Sequence, residues 1–471
     1  PEEMIKFHNI VFTLLMFVSI AGFGQDTLRM SHKEFISIVK SYHPLAYNYR
    51  LQNQIAEAEI QKARGNFDPL IDAKNGSKTI DGTEYYKQTN VGLEIPTWYG
   101  IELNGSYNYI NGQKLNNSDT KGGLYQFGVT VPLAKNLFYD TRRALLDQAK
   151  SALQMTQAEQ KLLTNELLLN ADNAYWNWVR LYENYLLQSR TVSINEERLI
   201  LTKKTYEYGE RAAIDTTEVV SQLQSYEVEK QDAYLKFIKA TQELSLYLWT
   251  ENQQPYDVEQ LIIPSQKITQ AESYENYGVL LALIDQRDIN RHAALQYYQQ
   301  KFNILESQRR LKRQSLLPKL DFTYNFFNKE SYETELLPLF ENNYQYGLKL
   351  EIPIFLRQAR ADYQIAKYKI EQNQFDADYK QQELHAKITA YKNEVISYQS
   401  QISLMQNNIE NYKRLLNAEE IRFSNGESSL FLINTRENKL LEAEQKLLDL
   451  QLKFINSYNQ LKWFNENFES N

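Results

Sequence analysis

Apolar residues recur along this chain with two periods, and the change of period divides it. Across 68–131 the period is two. Val91, Leu93 and Ile95 alternate with Gly92 and Glu94; Ile101, Leu103, Gly105, Tyr107 and Tyr109 alternate with Glu102, Asn104, Ser106 and Asn108; Phe127, Val129 and Val131 alternate with Gly128 and Thr130. That alternation predicts strands. Shorter stretches of the same kind lie at 320–328 and 347–354, where Leu348, Leu350 and Ile352 alternate with Lys349 and Glu351. Elsewhere the spacing is three and four. Leu146, Ala149 and Leu153 share a heptad register that reaches Leu163, Leu167, Asn170, Ala174 and Leu181. Such spacing predicts a narrow coiled-coil seam, with polar faces on either side.

The helix breakers set the lengths. Between Pro132 and Pro255 the chain has no proline and one glycine, Gly209; after Pro353 it has no proline and one glycine, Gly426. Two very long helical hairpins follow, one over 142–249 turning at Gly209 and one over 359–468 turning at Gly426. Each outgoing arm, 142–208 and 359–425, spans roughly 100 Å at the α-helical rise. Further helices are expected at 31–64 and 274–315, with 255–273 as a linker. The order helix, strands, hairpin thus occurs twice, in repeats 25–254 and 274–471. Local sequence agrees: Pro69-Leu-Ile-Asp72 matches Pro318-Lys-Leu-Asp321, and Val131-Pro132-Leu133 matches Ile352-Pro353-Ile354. The first strand region is the longer, by an added strand pair or a long loop at about 89–111.

Composition narrows the chemistry. The 471 residues carry a net charge of −7, which argues against nucleic acid. No cysteine is present, which excludes disulfides, thiolate catalysis, cysteine-ligated zinc and a lipidated N-terminal cysteine. The five histidines, His8, His32, His43, His292 and His385, have no metal spacing, although His43 and His292 stand at matching distances before Pro69 and Pro318. No phosphate loop, HExxH or nucleophile elbow is found, so the chain is not expected to be an enzyme and no catalytic, metal or cofactor residue is assigned. Residues 1–24 read as a secretory signal, with Met4 as start, Lys6 as n-region, an apolar stretch at 10–20 and small residues Gly22 and Gly24 before Gln25. The alternative is a membrane anchor, but the stretch is shorter than the roughly 20 residues a span needs.

The strands raise a closure problem. Two or three hairpins cannot close a membrane barrel, and an open sheet leaves edges that pair with another chain. The segments are rich in aromatics, namely Trp98, Tyr99, Tyr107, Tyr109, Tyr324, Phe326, Phe327, Phe340, Tyr344 and Tyr346. Membrane barrels place such rings at their lipid interfaces. Secretion, alternating strands and long polar helices together point to an oligomeric barrel continued by helices.

At this point the chain resembles the TolC-type outer-membrane efflux proteins (the outer membrane factor family). The likeness rests on the repeated architecture and two doubled motifs. An apolar-Pro-apolar strand end followed by arginines occurs at Pro132 with Arg142 and Arg143, and at Pro353 with Arg357 and Arg360. An aromatic-x-x-Gly helix turn occurs as Tyr206-Glu-Tyr-Gly209 and Phe423-Ser-Asn-Gly426. The resemblance implies a mostly α-helical fold with a β-barrel portion. It implies a homotrimer whose twelve strands form one barrel in the outer membrane of a Gram-negative bacterium, and whose twelve helices form a periplasmic tunnel. The helix turns, with Tyr206, Gly209, Glu210, Phe423, Gly426, Glu427 and Ser429, would bind a periplasmic adaptor (membrane fusion protein) and through it an inner-membrane pump, for efflux or type I secretion. Relatives often carry aspartates just after the second glycine. Here Leu432 and Thr435 stand there, while Asp215 and Glu218 occupy the matching places after Gly209, as candidate pore acids or as carboxylates favoured by a helix N-terminus. The basic run Arg309, Arg310, Lys312, Arg313 is a solvated face or a contact for lipid phosphate. The alternative from another class is a periplasmic coiled-coil scaffold or stalk without a pore.

Overall fold

A computed structural model describes residues 28–256, 262–330 and 343–465. The expected leader, Phe340 and the final residues of the return helix lie outside the described residues. The described residues open with β1 (Leu28–Met30), α1 (His32–Tyr42) and α2 (Pro44–Arg64). Where one helix was expected there are two, because a residue before proline is pushed out of the α region, and His43 is extended at ψ 131°. Four strands follow: β2 (Leu70–Ile80), β3 (Thr83–Pro96), β4 (Glu102–Asn111) and β5 (Gly122–Pro132). The first hairpin is α3 (Thr141–Glu207) and α4 (Ala213–Ser245).

The segment read as a linker carries β6 (Ile262–Pro264), which pairs in parallel with β1, and its Ile262 and Ile268 are fully buried. It is therefore part of the packed fold. The second half continues with α5 (Ser273–Gln286) and α6 (Ala293–Gln314). Again one expected helix is two: Arg287 is extended and Asp288 and His292 open new turns by accepting from the Asn290 and Ala294 N–H groups. Then come β7 (Lys319–Lys329), β8 (Tyr344–Glu351), α7 (Arg357–Ser424) and α8 (Leu430–Phe464). The arms α3 and α7, at 67 and 68 residues, keep the expected length because nothing within them breaks a helix.

Contacts group the chain into two units. The first takes the described parts of 1–48, 163–287 and 384–471. Its core is wider than a coiled-coil seam. Along α3, Leu167, Leu168, Leu169, Ala171, Tyr175, Trp176, Trp178 and Val179 are all buried, which covers most of the helix circumference. Asn170, placed on the seam by heptad counting, is exposed. The heptad reading fails here because α3 has neighbours on several sides. Phe35 of α1 stacks on Tyr175, Tyr175 donates to the Met30 carbonyl (3.1 Å), and the Trp178 indole donates to Thr241 of α4 (2.9 Å).

The second unit, 49–162 and 288–383, holds one six-stranded antiparallel sheet ordered β2-β3-β4-β5-β7-β8. The ambiguous stretch at 89–111 is therefore strand, not loop: β3 and β4 are an added pair between β2 and β5. The resemblance implied four strands per copy and twelve in a trimer; with six per copy, three copies carry eighteen. The β2–β3 turn uses Asp81 and Gly82, both at positive φ (51° and 76°), the pattern of a tight two-residue hairpin. Beside the sheet, Ala63, Phe67 and Leu146 form a small core, and Trp98 of the β3–β4 turn stacks on Phe67 at 4.0 Å.

Candidate functional site

The two glycine turns are built alike. Gly209 (φ 76°) donates to the Tyr206 carbonyl and Glu210 to that of Thr205, both at 2.9 Å. Gly426 (φ 79°) donates to the Phe423 carbonyl (3.0 Å) and Glu427 to that of Arg422 (2.8 Å). This paired bonding is a Schellman motif, with glycine at the left-handed position. It satisfies carbonyls that a helix end otherwise leaves open. Tyr206, Glu210 and Glu427 are exposed, as is Tyr208 at 81%, so both turns present side chains to solvent. Ser429 is the N-cap residue of α8, and its carbonyl accepts from Leu432 (3.1 Å) and Ile433 (3.3 Å).

Sequence reading missed what joins the two turns. The guanidinium of Arg211 lies 3.9 Å from the centroid of the Phe423 ring and donates to the Phe423 carbonyl (3.1 Å). One tip thereby caps the other. Glu218 accepts from Asn434 (3.2 Å), so it links α4 to α8. Asp215 sits in the first turn of α4, half-buried, and its N–H bonds the Ala212 carbonyl. At the equivalent places in the second hairpin, Leu432 is exposed and the Thr435 hydroxyl bonds back to the Phe431 carbonyl (2.7 Å).

Behind the tips is a buried ionic cluster. Glu437, 6% exposed, accepts from Arg198 (2.7 Å), Asn195 (3.2 Å) and Tyr226 (3.3 Å). Burial, then the Glu437 charge, pushes the Tyr226 hydroxyl well above the ordinary phenol pKa. Glu419 is equally buried and meets Ser428 (2.6 Å), Arg422 (3.6 Å) and Arg436 (3.8 Å). The partners of Glu437 lie 211 to 242 residues away in sequence, so only its charge was legible, not its pairing.

In the second unit the doubled strand-end motif diverges. Pro132 is buried. Arg143 donates to the carbonyls of Phe138 (3.0 Å), Asn136 (2.7 Å) and Leu137 (3.1 Å), and to Asp140 (3.3 Å). It staples the loop between β5 and α3. Arg142 reaches Glu102 of β4 at 2.8 Å. In the second copy Pro353 and Arg360 are exposed, and Arg357 stands over the Phe355 ring at 5.0 Å. The basic run is tied within the chain: Arg309 and Arg310 meet Glu306 (2.7 and 3.3 Å), and Lys312 meets Asp362 (2.8 Å). That favours a solvated, internally paired face over a contact for lipid phosphate.

The register gives the sheet two unlike faces. One carries Val91, Leu93 and Ile95 on β3, opposite Tyr107, Gly105 and Leu103 on β4. It continues through Tyr125, Phe127 and Val129 on β5, Phe322, Tyr324 and Phe326 on β7, and Leu348, Tyr346 and Tyr344 on β8. This face is apolar and aromatic. The other carries Asn90, Asn108, Asn104, Gln126, Asp321, Asn325, Gln345, Lys349 and Glu351. Of the aromatics expected on the apolar face, Phe327 lies on the polar one, opposite Gln126, and Trp98 packs on Phe67. The others on strands keep to it. Among the described residues, no helix is long and apolar enough to cross a membrane, and no acidic, histidine or cysteine cluster could hold a metal.

Comparison with known proteins fits this geometry. Residues 284–463 match the sequence profile of the family described as Outer membrane efflux protein. No curated protein matches the chain by sequence. Solved structures do match by fold. The CmeC outer membrane channel of Campylobacter jejuni is 14% identical, with 92% of this chain and 84% of that one covered and a TM-score of 0.62. The outer membrane protein VceC of Vibrio cholerae is 13% identical, with 91% and 94% covered and a TM-score of 0.63. The open state of the MtrE outer membrane channel of Neisseria gonorrhoeae is 14% identical, with 92% and 88% covered and a TM-score of 0.63.

Proposed function

We propose that this chain, which carries an outer membrane efflux protein domain and has the fold of the TolC-like channels, is one protomer of a homotrimeric exit duct. Domain and fold belong to transport channels rather than to enzymes. The observation that carries the reading is the two-faced sheet. A strip of Val, Leu, Tyr and Phe across the strands has water on it in one chain, which is unfavourable at about 25 cal/mol per Å² of apolar surface. Lipid on the apolar side and water on the polar side satisfy both faces. A scaffold or stalk without a pore leaves that strip uncovered.

In this reading the sheet lies in the outer membrane of a Gram-negative cell and the hairpins extend into the periplasm. The turns at Tyr206, Gly209, Glu210, Phe423, Gly426, Glu427 and Ser429 receive the periplasmic adaptor, which couples the duct to an inner-membrane pump. Exposed Tyr208 and Ile214 extend the apolar part of that surface. Asp215 is the better candidate for a pore acid, since Glu218 already serves Asn434. Cargo passes without chemistry. Mass measurement of detergent-extracted protein from isolated outer membranes tests the assembly. A trimer from the outer-membrane fraction supports the duct; a monomer or dimer recovered in the soluble periplasm overturns it.

A further inference from the structure

Among the described residues, two edges of the sheet, β2 and β8, have no strand beside them, and every residue of both is exposed. Six antiparallel strands make the edges run in opposite directions. So β8 of one copy can meet β2 of the next and continue the antiparallel order. The internal repeat supplies the register. β5 and β8 are equivalent, each ending apolar-Pro-apolar before a long helix; β2 and β7 are equivalent, opening at Pro69…Asp72 and Pro318…Asp321. Within the chain β5 pairs with β7, Pro132 opposite Asp321, Thr130 opposite Thr323 and Gly128 opposite Asn325. The pairing runs past the strand end through Leu133 N–H to the Leu320 carbonyl (2.7 Å) and Lys135 N–H to the Pro318 carbonyl (3.1 Å).

Carried to the edges, that register sets Pro353 opposite Asp72, Glu351 opposite Lys74 and Lys349 opposite Gly76 of the next copy. Three independent features agree with it. Leu348 and Leu350 fall on the same face as Ile71 and Ala73, which pair with Leu93 and Val91; a one-residue slip would reverse this. Glu351 gains an opposite charge. Slips by two residues are worse: one sets Lys349 opposite Lys74 and Glu351 opposite Asp72, the other sets Lys349 opposite Lys78, and like charges directly opposite are destabilising. The seam also covers apolar side chains that are open in one copy, Ile71 at 72% exposure and Ile354 at 88%.

Resting on the duct reading, we infer that β8 of one copy pairs with β2 of the next in this register, so that three copies of six strands close an eighteen-stranded barrel. The inserted pair β3–β4 is thus barrel wall. Barrels of roughly 16–18 strands leave an aqueous channel, so the added pair widens the exit.

Cysteine cross-linking tests the seam in a chain that has no cysteine of its own. Gly76→Cys with Lys349→Cys places two side chains opposite each other, and a Cβ at Gly76 meets nothing within 4 Å. Mild oxidation in outer membranes should yield covalent trimers on non-reducing gels, several-fold more than the off-register pairs Lys74→Cys/Lys349→Cys and Lys78→Cys/Lys349→Cys, and none from single variants. Native mass of each variant is measured alongside. A trimer whose cross-links favour an off-register pair, or that gives none, overturns the seam and leaves the duct. A protein that is no trimer at all overturns both.

Discussion

His43 and His292 hold equivalent places in the two halves. Each ends one helical segment and opens the next, its Nδ1 accepting an N–H two residues on, from Leu45 and Ala294, at 3.2 Å. Matching distances to Pro69 and Pro318 made the equivalence visible in sequence; the capping role needed the helix breaks, and only His43 has a proline to announce one. Burial lowers the His43 pKa from 6.5, with a hydrogen bond to the Leu246 backbone in partial opposition. A base with a depressed folded pKa lends stability above its unfolded value and loses it as pH falls through the folded one. Thermal stability should therefore fall as pH drops below 6.5, and His43→Asn, which keeps a cap acceptor but does not titrate, should flatten that acidic limb. His43→Ala should cost about 1 kcal/mol at neutral pH. An unchanged acidic limb in the Asn variant would mean that His43 does not set the acid sensitivity. At the Glu437 cluster, Arg198→Ala should cost about 3–5 kcal/mol, because it strands a buried carboxylate. Chemical denaturation measures it; a loss below about 1 kcal/mol would mean that water solvates Glu437.

At the scale of elements, periodicity told strand from helix and the absence of proline and glycine set the lengths of α3 and α7. What it did not tell has physical causes. β2 fell inside the strand region expected at 68–131, but its own bounds were not legible, since Asp72, Lys74, Asn75, Gly76 and Ser77 give it neither apolar alternation nor strand propensity; it is a strand because β3 pairs with it. The wide core around Trp178 was hidden because heptad counting assumes one neighbour per helix. The turns were legible as glycines, but Arg211 on Phe423 joins residues 212 apart in sequence, which no local pattern encodes. Gly209→Val and Gly426→Val have open space, so their cost comes from positive φ alone, about 1–2 kcal/mol each, with asparagine milder. In the proposed duct these valine variants should insert as trimers yet lose transport in a drug-accumulation assay. Transport that survived both changes would count against docking at the tips.

For the molecule as a whole, the doubled order of elements was readable because the repeats share their punctuation, Pro69 with Pro318, Pro132 with Pro353 and Gly209 with Gly426. The number of strands was not, since an inserted hairpin and a long loop have the same length. In the proposed duct that number matters most: six strands per copy would make a wider wall than four, with Glu102, Asn104, Asn108 and Glu94 of the added pair on its polar side. In the proposed duct this polar side faces a continuous water-filled passage. Single-channel conductance of the purified protein in planar lipid bilayers, with its oligomeric mass known, decides whether that passage exists. A duct of this kind should give trimers that insert and show discrete, long-lived conductance steps, altered by charge changes at polar-face residues such as Asp321 and unaffected at apolar-face residues such as Tyr324. Inserted trimers that pass no ions under any applied voltage, or a protein that stays in water and never inserts, would contradict it.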